Sequence, residues 1–210
     1  MVAVSQRRTR PRGEVRRTEI LDAVVHVFLE NGYSGATIDL VVARAGASKA
    51  TIYSFFGGKE GLFTAIVEER TEQVLSALLN IDITGLDVPA ALTQIGRRCM
   101  DAIMAPDAIG IYRLILAEGF RFPDVARTFY RLGPDRVSNH LAEVLRDWRE
   151  RGLVVLDDPE LTAIQFLDAL RGGLHLRAMA GLPPDNLAAA IERNVENAVH
   201  NLWTGIRPGG

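Results

Sequence analysis

Thr37-Ile38-Asp39-Leu40-Val41-Val42-Ala43-Arg44-Ala45-Gly46-Ala47-Ser48-Lys49-Ala50-Thr51-Ile52-Tyr53-Ser54-Phe55-Phe56-Gly57-Gly58-Lys59-Glu60-Gly61-Leu62-Phe63 decides the fold of this 210-residue chain. It reads as a short helix, a glycine turn, a second short helix and the start of a third. Thr37 is placed to cap the first helix, its hydroxyl accepting from a first-turn N–H that has no helical partner. Ile38, Val41 and Val42 recur at spacings of three and four, the period of one buried helical face. Gly46 follows Ala45, where a helix stop needs a residue that tolerates positive φ. Ser48 suits the cap of the next helix, which runs from Ser48 to Phe55. Ile52 and Phe56 lie four apart and face inward.

That leaves Lys49, Ala50, Thr51, Tyr53 and Ser54 near or on the outer face. An ammonium, two hydroxyls and a phenol suit phosphates and base edges. Lys59 opens the third helix, where free N–H groups and an ammonium together can hold a phosphate. A helix-turn-helix with a supporting helix points to duplex DNA as the partner. The alternative is a three-helix unit used for protein contacts or for packing alone. The agreement of turn chemistry with the outward polar set favours DNA.

The same residues carry a family resemblance. Thr37-Ile38, Ala45-Gly46-Ala47-Ser48, Thr51-Ile52-Tyr53, Phe56 and Lys59-Glu60-Gly61-Leu62-Phe63 resemble the DNA-binding domain of the TetR/AcrR family of bacterial transcriptional regulators. The resemblance implies that Lys49, Ala50, Thr51 and Tyr53 face the groove. It also implies that Thr37, Ser54 and Lys59 anchor phosphates, with Ser48 at the head of the reading helix. Four positions depart from the family pattern: Val42, Ala47, Phe55 and Gly58. Further along, Phe120-Arg121-Phe122-Pro123-Asp124-Val125, Phe129-Tyr130, Leu141 to Trp148, Arg151-Gly152 and Asp157-Asp158-Pro159-Glu160 resemble the regulatory domain of AefR-like members.

Charge is distributed as a DNA partner requires. The whole chain has a net charge of -2, but residues 1–60 carry nine bases against six acids, and the remaining residues 15 bases against 20 acids. A basic end on an acidic body is an electrostatic footprint for a polyanion. Both lysines of the chain, Lys49 and Lys59, lie in the motif. Residues 1–15 read as a disordered basic arm, suited either to an adjacent minor groove or to solubility alone. No apolar stretch follows the arginines as in a signal peptide, and no run of 18 apolar residues exists to span a membrane. Cys99 is the lone cysteine, so neither an internal disulfide nor a cysteine metal cluster is possible. A cytoplasmic location is expected.

The expected fold is all-α: a head over 16–58, then a regulatory and dimerisation bundle over 59–205 and a disordered tail at 206–210. Helix one is expected from Arg16 to Asn31, and a long linking helix over 59–80. Helices follow from Pro89 to Met104, Ala108 to Phe120, Pro123 to Arg151 with a break at Gly133-Pro134, Pro159 to Ala180, and Pro184 to Trp203. Pro89, Pro123, Pro159 and Pro184 fit first helical turns.

The last two helices are the candidates for a homodimer. One offers Leu161, Ile164, Leu167, Leu170 and Leu174, with Gly172-Gly173 permitting close approach; the other offers Leu187, Ile191, Val195, Val199 and Leu202. Paired across a two-fold axis they would build a four-helix interface, unless these faces only pack on their own body. The resemblance implies a small-molecule effector held among the body helices. Candidates are Met100, Ile103, Met104, Tyr112, Ile115, Leu116, Phe129 and Trp148, with Glu118 and His175 as polar anchors; core packing is the competing use of such residues. An apolar or amphipathic effector would suit them. The implied activity is a repressor that binds a pseudo-palindromic operator as a dimer and is released by that effector. The rival reading is a helical ligand-binding or scaffold protein without specific DNA binding. No enzyme, metal or cofactor is expected, since His26, His140, His175 and His200 fall on separate helices with no ligand spacing and no nucleophile motif.

Overall fold

The computed structural model describes residues 12–209, and among them every regular element is a helix. In chain order these are α1 (Arg12–Gly35), α2 (Ile38–Ala45), α3 (Lys49–Phe56), α4 (Lys59–Leu79), α5 (Val88–Ile103), α6 (Pro106–Glu118), α7 (Pro123–Leu132), α8 (Pro134–Glu150), α9 (Pro159–Met179) and α10 (Leu187–Ile206). The all-α expectation holds. Helix α1 begins at Arg12, so residues 12–15, expected in the arm, are helical; the rest of the arm lies outside the described residues. The expected tail likewise starts one residue later, because α10 includes Ile206, whose carbonyl accepts from Val155 N–H at 2.7 Å.

Two compact units divide the chain, Met1–Glu69 and Arg70–Gly210. The boundary falls inside α4, eleven residues beyond the expected end of the head at 58. The reason is packing: Leu62, Phe63, Ile66 and Val67 of α4 are buried, and Phe63 stacks on Phe28 of α1 at 5.7 Å and meets Tyr33 edge-on at 5.2 Å. The first half of α4 thus completes the head core with Ile20, Val24, Val41 and Ile52. Gly61 makes this possible, since a Cβ there would lie 1.9 Å from the carbonyl oxygen of Phe56.

The second unit is built on one apolar core. Leu92, Met100, Leu145, Leu170 and Val195 are almost fully buried in it. Helix α8 packs on α9, and α10 on α5 and α9. Asp87, Asp158 and Asn186 cap α5, α9 and α10, accepting from Ala90, Leu161 and Ala189 N–H at 2.8, 2.9 and 3.0 Å. Prolines open α5, α6, α7, α8 and α9, where their missing N–H costs nothing. Pro184 was expected in such a turn, but α10 starts three residues later, where Asn186 supplies the capping oxygen that proline lacks.

The expected unbroken helix over Pro159 to Ala180 is bent. Gly172 sits at φ 44°, ψ -151°, a conformation that favours glycine. Asn194 of α10 covers the break, its side-chain amide donating to the carbonyls of Leu170 and Ala169. Gly172 therefore serves a bend in α9. Four of the proposed dimer-face residues, Leu167, Leu170, Val195 and Val199, belong to the subunit's own core. Leu161 and Ile164 stay about half exposed, and Leu176 more so.

Candidate functional site

In the head, the turn chemistry is realised atom by atom. Thr37 Oγ1 accepts from Leu40 N–H at 3.3 Å, and Ser48 Oγ accepts from Thr51 N–H at 3.1 Å while pairing with Thr51 Oγ1 at 2.9 Å. Gly46 ends α2 at φ 56°. Arg16 of α1 clamps this turn, donating to the carbonyls of Ala45 at 3.4 Å and Gly46 at 3.1 Å. With Ile52 and Phe56 buried, α3 turns Lys49, Ala50, Tyr53 and Ser54 to solvent and leaves Thr51 half-buried. Tyr53 is 54% exposed, and Phe55 adds an apolar ring beside it. The set expected on the outer face is there.

Two of its cations have partners that the sequence does not announce. Lys49 Nζ lies 2.7 Å from Asp39 Oδ1, and this bond holds the ammonium's pKa above its ordinary value. Lys59 is half-buried: its ammonium donates to Ser34 O at 3.3 Å and rests 4.4 Å from the centre of the Tyr33 ring. Lys59 is thus tied to the end of α1. The Asp39–Lys49 pair spans a turn between two helices, so no helical spacing could reveal it.

In the second unit, a cavity of about 170 Å³ opens among α4 to α9. Thr71, Val74, Leu75 and Leu78 of α4 form part of its wall, with Cys99 and Ile103 of α5 and Ile111 and Tyr112 of α6. Phe129 of α7, Val137 of α8, and Leu167, Leu170, Arg171 and His175 of α9 complete most of the rest. Of the expected effector residues, Ile103, Tyr112, Phe129 and His175 are brought together here. Met100, Met104, Ile115 and Trp148 are not, because they are buried on sides of their helices turned toward other neighbours. Leu116 is 56% exposed, and Glu118 closes α6 outside the wall. The α4 residues were missed because an apolar stripe reads alike whether it meets a core or a cavity.

The cavity is apolar with a few polar groups. Tyr112 stands edge-on to Phe129 at 5.3 Å and to His175 at 5.0 Å. Burial, then neighbouring Tyr130, raises the Tyr112 phenol, and burial alone pushes the Cys99 thiol up to about 12, leaving it inert. Burial, then the Arg171 guanidinium, lowers the His175 imidazole below its ordinary value, so it is neutral at pH 7. Thr71 Oγ1 and His175 Nε2 are buried without a hydrogen-bond partner among the described residues. Among the described residues no three His, Cys, Asp or Glu side chains gather as metal ligands would, and no helix is long and apolar enough to cross a membrane.

Comparison with known proteins assigns both parts of the chain to one family. Residues 20–66 match the bacterial regulatory proteins of the tetR family, and residues 90–203 match the AefR-like transcriptional repressor C-terminal domain. The HTH-type transcriptional repressor Rv1474c of Mycobacterium tuberculosis is 28% identical over 187 residues, 88% of this chain and 92% of that protein. Among solved structures, a TetR-family transcriptional regulator from Mesorhizobium loti MAFF303099 is 26% identical with a TM-score of 0.81, over 94% of this chain and 100% of its own. The flavonoid-responsive regulator FrrA is 30% identical with a TM-score of 0.78, again over 94% and 100%.

Proposed function

Since this chain belongs to the TetR family of DNA-binding transcriptional regulators, with an AefR-like C-terminal domain, and is no enzyme, we propose that it is a ligand-released repressor acting as a homodimer. One observation carries the reading: α3 buries Ile52 and Phe56 and presents Lys49, Ala50, Tyr53 and Ser54 outward from a capped, clamped turn, with Thr51 half-buried beside them. Lys49, Ala50, Thr51 and Tyr53 read base edges, and Thr37, Ser48, Ser54 and Lys59 hold the backbone on either side. Two heads related by a two-fold axis address half-sites about one DNA turn, ~34 Å, apart, so the operator is pseudo-palindromic. Helices α9 and α10 form the dimer contact, with Leu161, Ile164 and Leu176 as its exposed apolar residues. Chromosomal DNA as partner places the protein in the cytoplasm.

The cavity is the effector site. Effector favours a form of the dimer whose heads are moved apart, and α4, continuous from the head to the cavity wall, carries the shift. The ligand can move the equilibrium only by its difference in affinity for the two forms. The flavonoid named for FrrA makes flavonoids the first effector class to try.

The test is a mobility shift with DNA upstream of the protein's own gene and its neighbours, at two salt concentrations with competitor. A specific, salt-sensitive shift that a flavonoid relieves is expected. Failure to shift any genomic site, including those recovered by genome-wide selection, would leave only the ligand-binding reading.

A further inference from the structure

Two side chains in the cavity wall each leave a buried polar atom unused. Thr71 is 6% exposed and His175 4% exposed, and Thr71 Oγ1 and His175 Nε2 lack any hydrogen-bond partner among the described residues. Buried polar atoms without partners are costly, and folded proteins keep few of them. Here two line one cavity, on α4 and α9. Both are uncharged at neutral pH: a hydroxyl donates or accepts, and a neutral imidazole nitrogen does one or the other. The charged side chains of the same wall are otherwise engaged. Arg171 pairs with Asp168 at 3.1 Å, Arg70 donates to Gln73 at 2.8 Å, and Asp107 lies in the first turn of α6, where free N–H groups favour a carboxylate. What the wall lacks is a neutral hydrogen-bonding partner.

The rest of the wall specifies the frame that carries it. Phe129, Tyr112 and His175 form a run of rings set edge to face at 5.3 and 5.0 Å, opposite aliphatic side chains such as Val74 and Leu78. A cavity of about 170 Å³ exceeds the ~150 Å³ that suffices for benzene. Resting on the reading of this cavity as the effector site, we propose that the effector is an uncharged aromatic molecule bearing hydroxyl groups. Its ring lies against Tyr112 and Phe129, and its oxygens bond Thr71 Oγ1 and His175 Nε2, which are closed off in the ligand-free wall and turn toward it on binding. An aliphatic carboxylate is disfavoured, since two neutral groups cannot balance a buried negative charge.

The experiment uses the full chain and five probes: 2-naphthol with naphthalene, naringenin with flavanone, and decanoate, each followed by calorimetric titration. Each hydroxylated probe should bind about tenfold or more tighter than its bare frame, the scale of one buried hydrogen bond. Decanoate should bind weakest. Thr71→Val and His175→Phe should each shrink the ratio of hydroxylated to bare affinity, and Thr71→Val should melt no lower than wild type. Equal binding of bare and hydroxylated frames, tighter binding of decanoate, preference kept in both variants, or no binding by any probe would overturn the proposal. Operator shift on the same preparations separates the two claims. An intact shift with failed preference removes only the effector chemistry, whereas absence of any shift removes the regulator reading whatever 2-naphthol does.

Discussion

The polar groups of the head and of the body sit in opposite circumstances. On the head face, Thr37 and Ser48 cap helices, Lys49 meets Asp39, and Lys59 meets Ser34, all at or near the surface. In the body, Thr71 and His175 sit behind apolar walls with an atom each left unpaired. Surface polar groups can exchange protein partners for phosphates at little cost, because water serves in between. Buried ones left unmet cost about 1–3 kcal/mol each, which a bound molecule of matching chemistry can return. Under the proposed reading, a face for DNA and a pocket for a small molecule are therefore built from different balances of the same forces.

The largest effect should come from removing the ring that joins α4 to the head. Phe63→Ala should cost about 3–5 kcal/mol and expose residues 12–69 to rapid hydrogen exchange. Protection of the helices from α5 to α10 should persist, since Phe63 belongs to the first unit. Loss of protection throughout would mean that the two units do not fold as separate cores.

Lys49→Ala should weaken operator binding by roughly tenfold to a hundredfold and relax sequence preference at one base pair, without changing the melting temperature. Fluorescence anisotropy with operator variants reads this, and unchanged preference would remove Lys49 as a base reader. Lys59→Ala should weaken binding to all sequences and reduce the salt slope by about one. Because its ammonium also joins Ser34 O and Tyr33, some loss of head stability should accompany it.

In the body the sign reverses. Thr71→Val deletes a hydroxyl that has no partner, and should raise the melting temperature of the ligand-free protein by about 2–4 °C. A lower value would reveal a partner for that oxygen. The smallest effect concerns pH. The His175 imidazole titrates below its ordinary value in the folded chain, so on acidification the unfolded chain takes up its proton first. Stability should therefore fall as pH drops from 7 toward the folded-state value, and His175→Phe should flatten that part of the melting-temperature profile. An identical profile in the variant would place the titration elsewhere.

Much of this was legible from local chemistry. Thr37, Gly46 and Ser48 act within a turn or two of their own positions, so their roles in the helix-turn-helix follow from neighbours in the chain. The outward set on α3 follows likewise once Ile52 and Phe56 are assigned inward. The prolines that open α5, α7 and α9 are also local signals. Pro184 misled because proline permits a helix start without compelling one, and Asn186 supplied the better cap.

The body was legible only as helices. Met100 and Cys99 are adjacent and both buried in the core, yet only Cys99 also lines the cavity, a distinction set by which helix lies opposite. The same holds for Leu167 and Leu170, which periodicity offered equally to a dimer face and to the subunit's own interior. By itself, the sequence determined an all-α chain, a capped helix-turn-helix and a polar outward face on α3, because capping, helical period and turn conformation are short-range properties. The tertiary structure alone decided the Asp39–Lys49 pair, the boundary within α4, the bend at Gly172 and the convergence of Thr71 and His175 on one cavity. Those depend on contacts between residues far apart in the chain, where packing selects one of several faces that the helical period leaves equivalent.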